Sequence, residues 1–252
     1  MVHFVGAGPG AADLITVRGK EYLENADVVI YAGSLVNPKL LEYTRLDCEI
    51  YNSAAMTLEE VLNVMEHAEA QGKMTVRLHT GDPCLYGAVR EQMDALDEKS
   101  IAYDSCPGVS SFCGAASAMN LEYTLPEVTQ SVVITRMAGR TSVPEKESIE
   151  SFAAHGATMV VFLSTGMLAE LSERLIAGGY RAETPAAIVY KATWPEEQTY
   201  VCTAETLAET AAKHKITKTA LIIVGDVVEH NAYERSKLYH PEFTTEFRER
   251  SQ

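Results

Sequence analysis

Along the first half of the chain, short apolar runs alternate with longer segments whose apolar residues recur at helical spacing. Val2 to Val5 is the first run, and Gly6-Ala7-Gly8-Pro9-Gly10 breaks it. Thr16 is the best helix start after that break. Val28 to Ala32 and Met74 to His79 are further runs of strand length. Between them, Leu58, Val61, Leu62, Met65 and Ala68 share one face of a helix predicted over Thr57 to Gln71. Thr57 and Glu60 form a capping box, and Gly72 follows where a helix C-terminus favours glycine. A helix from about Gly87, a strand over Ile101 to Cys106 and a small-residue helix through Met119 complete this half. Strands alternating with helices of this length predict a largely parallel sheet.

The pattern lapses around Asn120 to Pro126, which makes that stretch the candidate linker. Beyond it, Ser131 to Arg136 reads as a strand and Glu145 to Ala154 as a helix. Thr158 to Ser164 and Ala186 to Lys191 are strands separated by an amphipathic helix over Met167 to Ala177. Gln198 to Thr203 follows a turn at Trp194-Pro195 and is expected to pair antiparallel with its neighbour. Thr219 to Gly225 is the last apolar strand, and a polar, aromatic tail begins near Glu229. The predicted fold class is α/β. It has an N-terminal domain over residues 1–119 on a mostly parallel sheet, a C-terminal domain over 120–232 on a mixed sheet, and a tail over 233–252.

Composition acts mainly by exclusion. The 252 residues suffice for one large domain or two of about 120. With 21 Lys and Arg against 35 Asp and Glu, the net charge is −14. Nucleic acid is therefore not an expected partner, because phosphate binding needs a cationic footprint. An anionic substrate would need a local basic patch. No apolar stretch approaches the ~18 residues of a membrane span, and Met1 to Gly6 lacks a signal-peptide pattern. Cys48, Cys84, Cys106, Cys113 and Cys202 are dispersed, without a CxxC pair or a histidine at ligand spacing. That distribution fits reduced thiols in the cytoplasm and predicts no metal site.

Three loops carry candidate chemistry. Gly6 to Ala11 matches a dinucleotide fingerprint on paper, but Pro9 removes an amide donor and Val28 to Ala32 lacks the acid that would hold a ribose. A tight turn, or a loop that admits another ligand to the backbone, both remain open. Thr80-Gly81-Asp82-Pro83-Cys84-Leu85-Tyr86-Gly87 stands at the carboxyl end of a parallel strand, where ligands of open α/β sheets bind. Asp82 is either a cap or part of a site. Because Asn caps about as well as Asp, Asp82→Asn is expected to leave stability almost unchanged. Pro107-Gly108-Val109-Ser110-Ser111 closes the next strand in the same way. Arg136, Arg140 and Lys191 leave strand ends as candidate anion binders, with solvated surface charge as the alternative. The serines have no GxSxG elbow and no assignable histidine, so no catalytic side chain is assigned.

Taken in order, the Gly6–Gly10 loop, LITVRG (Leu14 to Gly19), TGDP (Thr80 to Pro83), PGVSS (Pro107 to Ser111) and TALIIVG (Thr219 to Gly225) resemble the tetrapyrrole methyltransferases. YAGSLV from Tyr31, LPEVTQS from Leu125, ITRMAGR from Ile134 and YKATWPEEQT from Tyr190 look like the branch that methylates precorrin-4 at C11 in cobalamin synthesis. GDPCLYGAVREQMD from Gly81 and the tail around Leu238-Tyr239 look like its anaerobic, cobalt-containing form. The resemblance implies two α/β domains with a ligand cleft between them, a homodimer and a corrinoid tetrapyrrole substrate. It implies S-adenosylmethionine as cofactor, leaving as S-adenosylhomocysteine. By motif, Pro9, Gly81, Asp82, Leu85, Ser110, Ser111, Leu163, Ala192, Thr219 and Ala220 would bind the cofactor. Arg136, Arg140, Lys191 and Tyr86 would meet the substrate. Thr80 departs from the pattern of members acting on earlier intermediates, which carry a second glycine there. Methyl transfer to a carbon nucleophile needs no side-chain nucleophile. A proton acceptor is not assigned, Tyr86 and Asp82 being the candidates. Methylation at another tetrapyrrole position, metal-free precorrin-4 as substrate, a nicotinamide-dependent oxidoreductase and a non-catalytic tetrapyrrole carrier are the alternatives.

Overall fold

The computed structural model describes residues 1–229, 233, 236, 240 and 243–249; the expected tail motif at Leu238-Tyr239 lies outside the described residues. The chain divides into two compact units. One is Met1–Ala115 with Ala192–Glu196, and the other is Ala116–Lys191 with the residues from Glu197 onward.

The first unit is built on strands β1 (Val2–Gly6), β2 (Val28–Tyr31), β3 (Glu49–Asn52), β4 (Thr75–His79) and β5 (Tyr103–Cys106), in the order β3-β2-β4-β1-β5. Every pair is parallel. β1 and β4 are buried along their whole length, because helices cover both faces of the sheet. On one face, Leu23 of α1 (Val17–Asn25) packs with Val5, Val29, Val76 and Leu78. On the other, Val61, Leu62 and Met65 of α2 (Leu58–Ala70) and Leu96 of α3 (Arg90–Glu98) pack with Val2, Phe4, Val28 and Ile30. The capping box forms as expected: Glu60 N donates to Thr57 Oγ1, and Thr57 N donates to the Glu60 carboxylate. β3 was not expected. Its Glu49-Ile50-Tyr51-Asn52 run is largely exposed, and as an edge strand it is held by ladder hydrogen bonds to β2 rather than by an apolar face.

The second unit contains β6 (Val132–Arg136), β7 (Thr158–Phe162), β8 (Pro185–Tyr190), β9 (Gln198–Thr203) and β10 (Ala220–Val224), in the order β6-β7-β10-β8-β9. β6 and β7 are parallel, whereas β10 is antiparallel to both β7 and β8, and β9 to β8. α5 (Ile149–Ala153), α6 (Leu168–Ala177) and α7 (Leu207–Lys213) share one core with Met159, Val161, Ile188 and Ile222. The helix expected from Glu145 is interrupted: a 3-10 turn over Glu145–Glu147 precedes α5, which Ser148 caps by accepting from Ser151 N. α7 was not expected, being too short to show a periodic face.

Two boundaries differ from the sequence pattern. Asn120 to Pro126 lies within the second unit, where Leu121 and Leu125 are buried and Thr158 Oγ1 donates to Tyr123 O. Ala192–Glu196, expected in the C-terminal domain, packs in the first unit. Ala11 N donates to Thr193 Oγ1 at 3.0 Å, and a Cβ placed on Gly10 would lie 2.2 Å from Trp194 Cδ1. A glycine thus makes room for an aromatic ring far along the chain.

Parallel strands put their carboxyl ends at one edge, so the loops after β1, β4 and β5 are neighbours. They meet backbone to backbone. Gly81 N donates to Gly8 O at 2.8 Å and Gly8 N to Gly81 O at 3.2 Å. A Cβ on Gly108 would lie 2.2 Å from Gly81 O and 2.7 Å from Gly6 Cα. Main-chain atoms cannot rotate out of the way. Gly108→Ala is therefore expected to lower stability by about 1–3 kcal/mol or more, read from denaturant unfolding. Gly72→Ala is the control: at φ +69° with nothing within 4 Å, it meets only left-handed strain of about 1 kcal/mol.

Candidate functional site

In the first unit the three loops form one surface. Asp82 joins two of them: Oδ1 accepts from Cys84 N and Oδ2 from Gly108 N, each at 2.8 Å. Burial alone would raise the Asp82 pKa, but the hydrogen bonds from Cys84 and Gly108 outweigh it and hold the carboxyl below its ordinary value. Gly81, at φ +60°, places its α-carbon against the PGVSS turn, where a Cβ would lie 3.4 Å from Ser111 N and 3.5 Å from Ser110 Cα. Ser110 is buried and its carbonyl accepts from Cys113 and Gly114 N, opening α4 (Ser111–Met119). Pro9 packs on that helix, since a Cβ on Gly114 would meet Pro9 Cβ at 2.8 Å. Pro9, Gly81, Asp82, Ser110 and Ser111 are thereby brought together. Leu85 and Tyr86 follow in the same loop, Leu85 half-buried and Tyr86 exposed. The neighbouring loops account for Gly6, whose Cβ would lie 2.5 Å from Gly108 Cα, whereas Gly8 is required by its φ of +80° and by Leu14 O, 2.9 Å from where its Cβ would be.

In the second unit a different feature stands out. Leu163 follows β7, Thr219 precedes β10 and Lys191 follows β8. Because β10 lies between the other two and runs opposite to them, these residues share one sheet edge. All have left-handed backbone, with φ +55°, +57° and +46°. Such residues cost about 1–3 kcal/mol each and cluster where ligands bind. Lys191 N donates to Thr219 O at 3.0 Å, and Thr165 Oγ1 donates to Ala220 O at 3.1 Å. Leu163, 64% exposed, is a large apolar side chain held out from this edge. Ala192 is buried and belongs to the first unit, with its carbonyl against Gly10.

The basic residues differ from one another. Arg136 donates to Met137 O, Thr141 O and Ser142 O at 2.8–3.2 Å, so its fork is committed to closing the loop that carries Arg140. Arg140 is exposed. Lys191 Nζ lies 5.8 Å from the centre of the Tyr190 ring. Sequence reasoning missed several supports. Asn37, buried, donates to Gly10 O at 2.8 Å. Ser164 Oγ accepts from Met137 N at 2.9 Å and donates to Phe162 O at 2.7 Å. Arg77 and His79 are buried in β4. Their signal was legible: Thr75, Arg77 and His79 alternate as polar residues in a strand covered on both faces.

Asp82, in the first unit, keeps an ionised carboxylate that suits a cationic group; Leu163, in the second, offers exposed apolar area. No cluster of His, Cys, Asp or Glu among the described residues forms a metal site, and no described helix is long and apolar enough to cross a membrane.

A wholly parallel α/β unit with glycine loops at its carboxyl edge, in one chain with a mixed α/β unit, defines a two-unit α/β protein whose candidate ligand loops lie at strand ends. The profile of the tetrapyrrole (corrin/porphyrin) methylases matches residues 1–208, and the chain belongs to that family. It is 52% identical over 247 residues to the cobalt-precorrin-4 C(11)-methyltransferase of Methanocaldococcus jannaschii, covering 98% of this chain and 95% of the relative. Among solved structures it resembles a cobalamin biosynthetic enzyme, the cobalt precorrin-4 methyltransferase CbiF. The TM-score is 0.88 and the identity 41%, over 90% of this chain and 95% of that one. It also resembles uroporphyrin-III C-methyl transferase from Thermus thermophilus complexed with S-adenosyl homocysteine. There the TM-score is 0.78 and the identity 26%, over 91% and 99% of the two chains.

The geometry at Asp82 overturns one expectation. Both oxygens accept from backbone amides, and Asn has a single acceptor oxygen. Asp82→Asn should therefore lower stability by about 1–3 kcal/mol, because an amide NH2 now faces an N–H. The folded-state pKa is depressed, so the contribution of Asp82 is present above the ordinary value of 3.8. It is lost as pH falls through the folded value. Denaturant midpoints of wild type and variant should converge under acid conditions and differ at neutral pH.

Proposed function

We propose that the chain transfers a methyl group from S-adenosylmethionine to C11 of cobalt-precorrin-4, a step of the anaerobic route to cobalamin. What carries this reading is likeness to the Methanocaldococcus enzyme along 98% of the chain. When bound, S-adenosylmethionine supplies the electrophilic methyl group. The chain's own part is to bind, orient and exclude water. From the first unit, Pro9, Gly81, Asp82, Leu85, Ser110, Ser111 and Ala192 are the proposed cofactor residues; from the second, Leu163, Thr219 and Ala220. Asp82 offers a fixed negative charge to a sulfonium, and the left-handed edge presents main-chain groups and the Leu163 side chain. Lys191, Arg140 and Tyr86 are the proposed substrate contacts. Arg136 positions the loop that carries Arg140. The nucleophile is a ring carbon of the substrate, so no activated serine or cysteine is required. A homodimer in the cytoplasm belongs to the same proposal, supported by family membership.

The deciding experiment is a mass-resolved assay of the purified protein with cobalt-precorrin-4 and with precorrin-4. Gain of one methyl group on the cobalt substrate, with release of S-adenosylhomocysteine, is expected. Transfer to the metal-free compound alone would move the enzyme to the other branch, and no transfer would sink the reading. Leu163→Gly tests the cofactor edge. Glycine suits φ +55°, so the melting temperature should hold. Loss of an apolar side-chain contact should weaken S-adenosylhomocysteine binding about tenfold or more in calorimetry.

A further inference from the structure

Behind the TGDP loop, the first unit contains a pocket of about 300 Å³ whose walls include Arg77, His79, Gln92, Tyr86 and Ser53. That size is at the lower end of the ~300–1,000 Å³ range of ligand pockets, which suits a side arm of a large ligand. Its polar groups are unusual for a strand interior. Arg77 is 7% exposed, and its hydrogen bonds go to neutral groups: Nε donates to Gln92 Oε1 at 3.1 Å and Nη1 to Ile30 O at 3.2 Å. Among the described residues no carboxylate pairs with it. A buried charge without a counter-charge is expensive. Burial pushes the guanidinium down to about 10, so it remains charged at neutral pH.

His79 adds a second unmet group. It is 5% exposed, and its Nε2 is buried without a hydrogen-bond partner. Burial, with Arg77 beside it, pushes its pKa down to about 3, so the imidazole is neutral and can offer one N–H. Gln92 is fixed in the orientation Arg77 needs, since its amide donates to Ala88 O at 2.8 Å. The loop lining the pocket is strained as well: Tyr86 and Ala88 both have left-handed backbone, at φ +55° and +49°. Glu91 also lines the pocket but is exposed to solvent, where its charge is screened.

We propose that this pocket receives a carboxylate side arm of the tetrapyrrole substrate, with Arg77 as its counter-charge and His79 Nε2–H as its second donor. The proposal rests on the methyltransferase reading. A carboxylate would accept from the guanidinium and the orphan nitrogen together and would also supply the counter-charge that a neutral acceptor lacks. It would also give a strongly acidic protein a place where a polyanion meets a shielded cation.

The test uses full-length His79→Leu, His79→Gln and Arg77→Lys proteins. The KM for the tetrapyrrole, the affinity for S-adenosylhomocysteine and the melting temperature are measured for each. His79→Leu removes an unsatisfied buried nitrogen, so its melting temperature should equal or exceed that of wild type. Its KM should rise about tenfold or more, with cofactor affinity unchanged. His79→Gln restores an N–H and should recover most of that loss. Arg77→Lys, which keeps charge but loses the fork, should also raise KM. An unchanged KM in His79→Leu overturns the proposal, as does a KM that rises only in step with lost stability or lost cofactor affinity. A wild-type protein that transfers no methyl group fails the functional reading and the pocket with it, and that outcome is visible without any variant.

Discussion

The first unit depends on three main chains approaching one another without side chains between them. Gly6, Gly81 and Gly108 come so close that a single Cβ on Gly108 would lie 2.2 Å from a carbonyl oxygen. A parallel sheet makes this meeting unavoidable, because the loops after adjacent strands leave at the same edge. The Asp82 carboxylate then ties the second loop to the third through Gly108 N. From that junction follow the position of the PGVSS turn, the start of α4 and the packing of Pro9 on Gly114. An ordinary structural need, satisfying loop amides, leaves a negative charge held at the loop surface.

The second unit works by tension rather than by close approach. Leu163, Thr219 and Lys191 hold left-handed backbone side by side, a conformation that strands and short loops normally leave to glycine. They persist because the adjoining β7, β8 and β10 are almost wholly buried and the edge is pinned by hydrogen bonds at Lys191 and Thr165. The stability of the core is what makes the strain tolerable.

Charge shows a similar division between global balance and local arrangement. A net charge of −14 disfavours polyanions at long range, but screening limits exposed charges to about a Debye length of 8–10 Å. What matters at short range is which cations have free hydrogen-bonding capacity. Arg136 spends its fork on three loop carbonyls. Arg77, in contrast, is shielded from water and has no acidic partner among the described residues.

The amino-acid sequence by itself determined the elements and the faces they bury. The apolar runs of β1, β4, β7 and β10, the capping box at Thr57 and Glu60, and the loops at Gly6, Gly81 and Gly108 were all legible, because each is encoded by neighbours within one or two turns or strand repeats. Tertiary structure decided the rest. β3 was hidden because an edge strand is held by main-chain bonds to β2 and needs no apolar face. Both oxygens of Asp82 are occupied because Gly108, 26 residues away, folds against it. Trp194 sits on Gly10 although the two are distant in the chain, and Arg77 meets Gln92 and the Ile30 carbonyl rather than an acid among the described residues. Side-chain period records which way a residue points; what it meets there depends on which strands become neighbours, and only the folded chain brings those strands together.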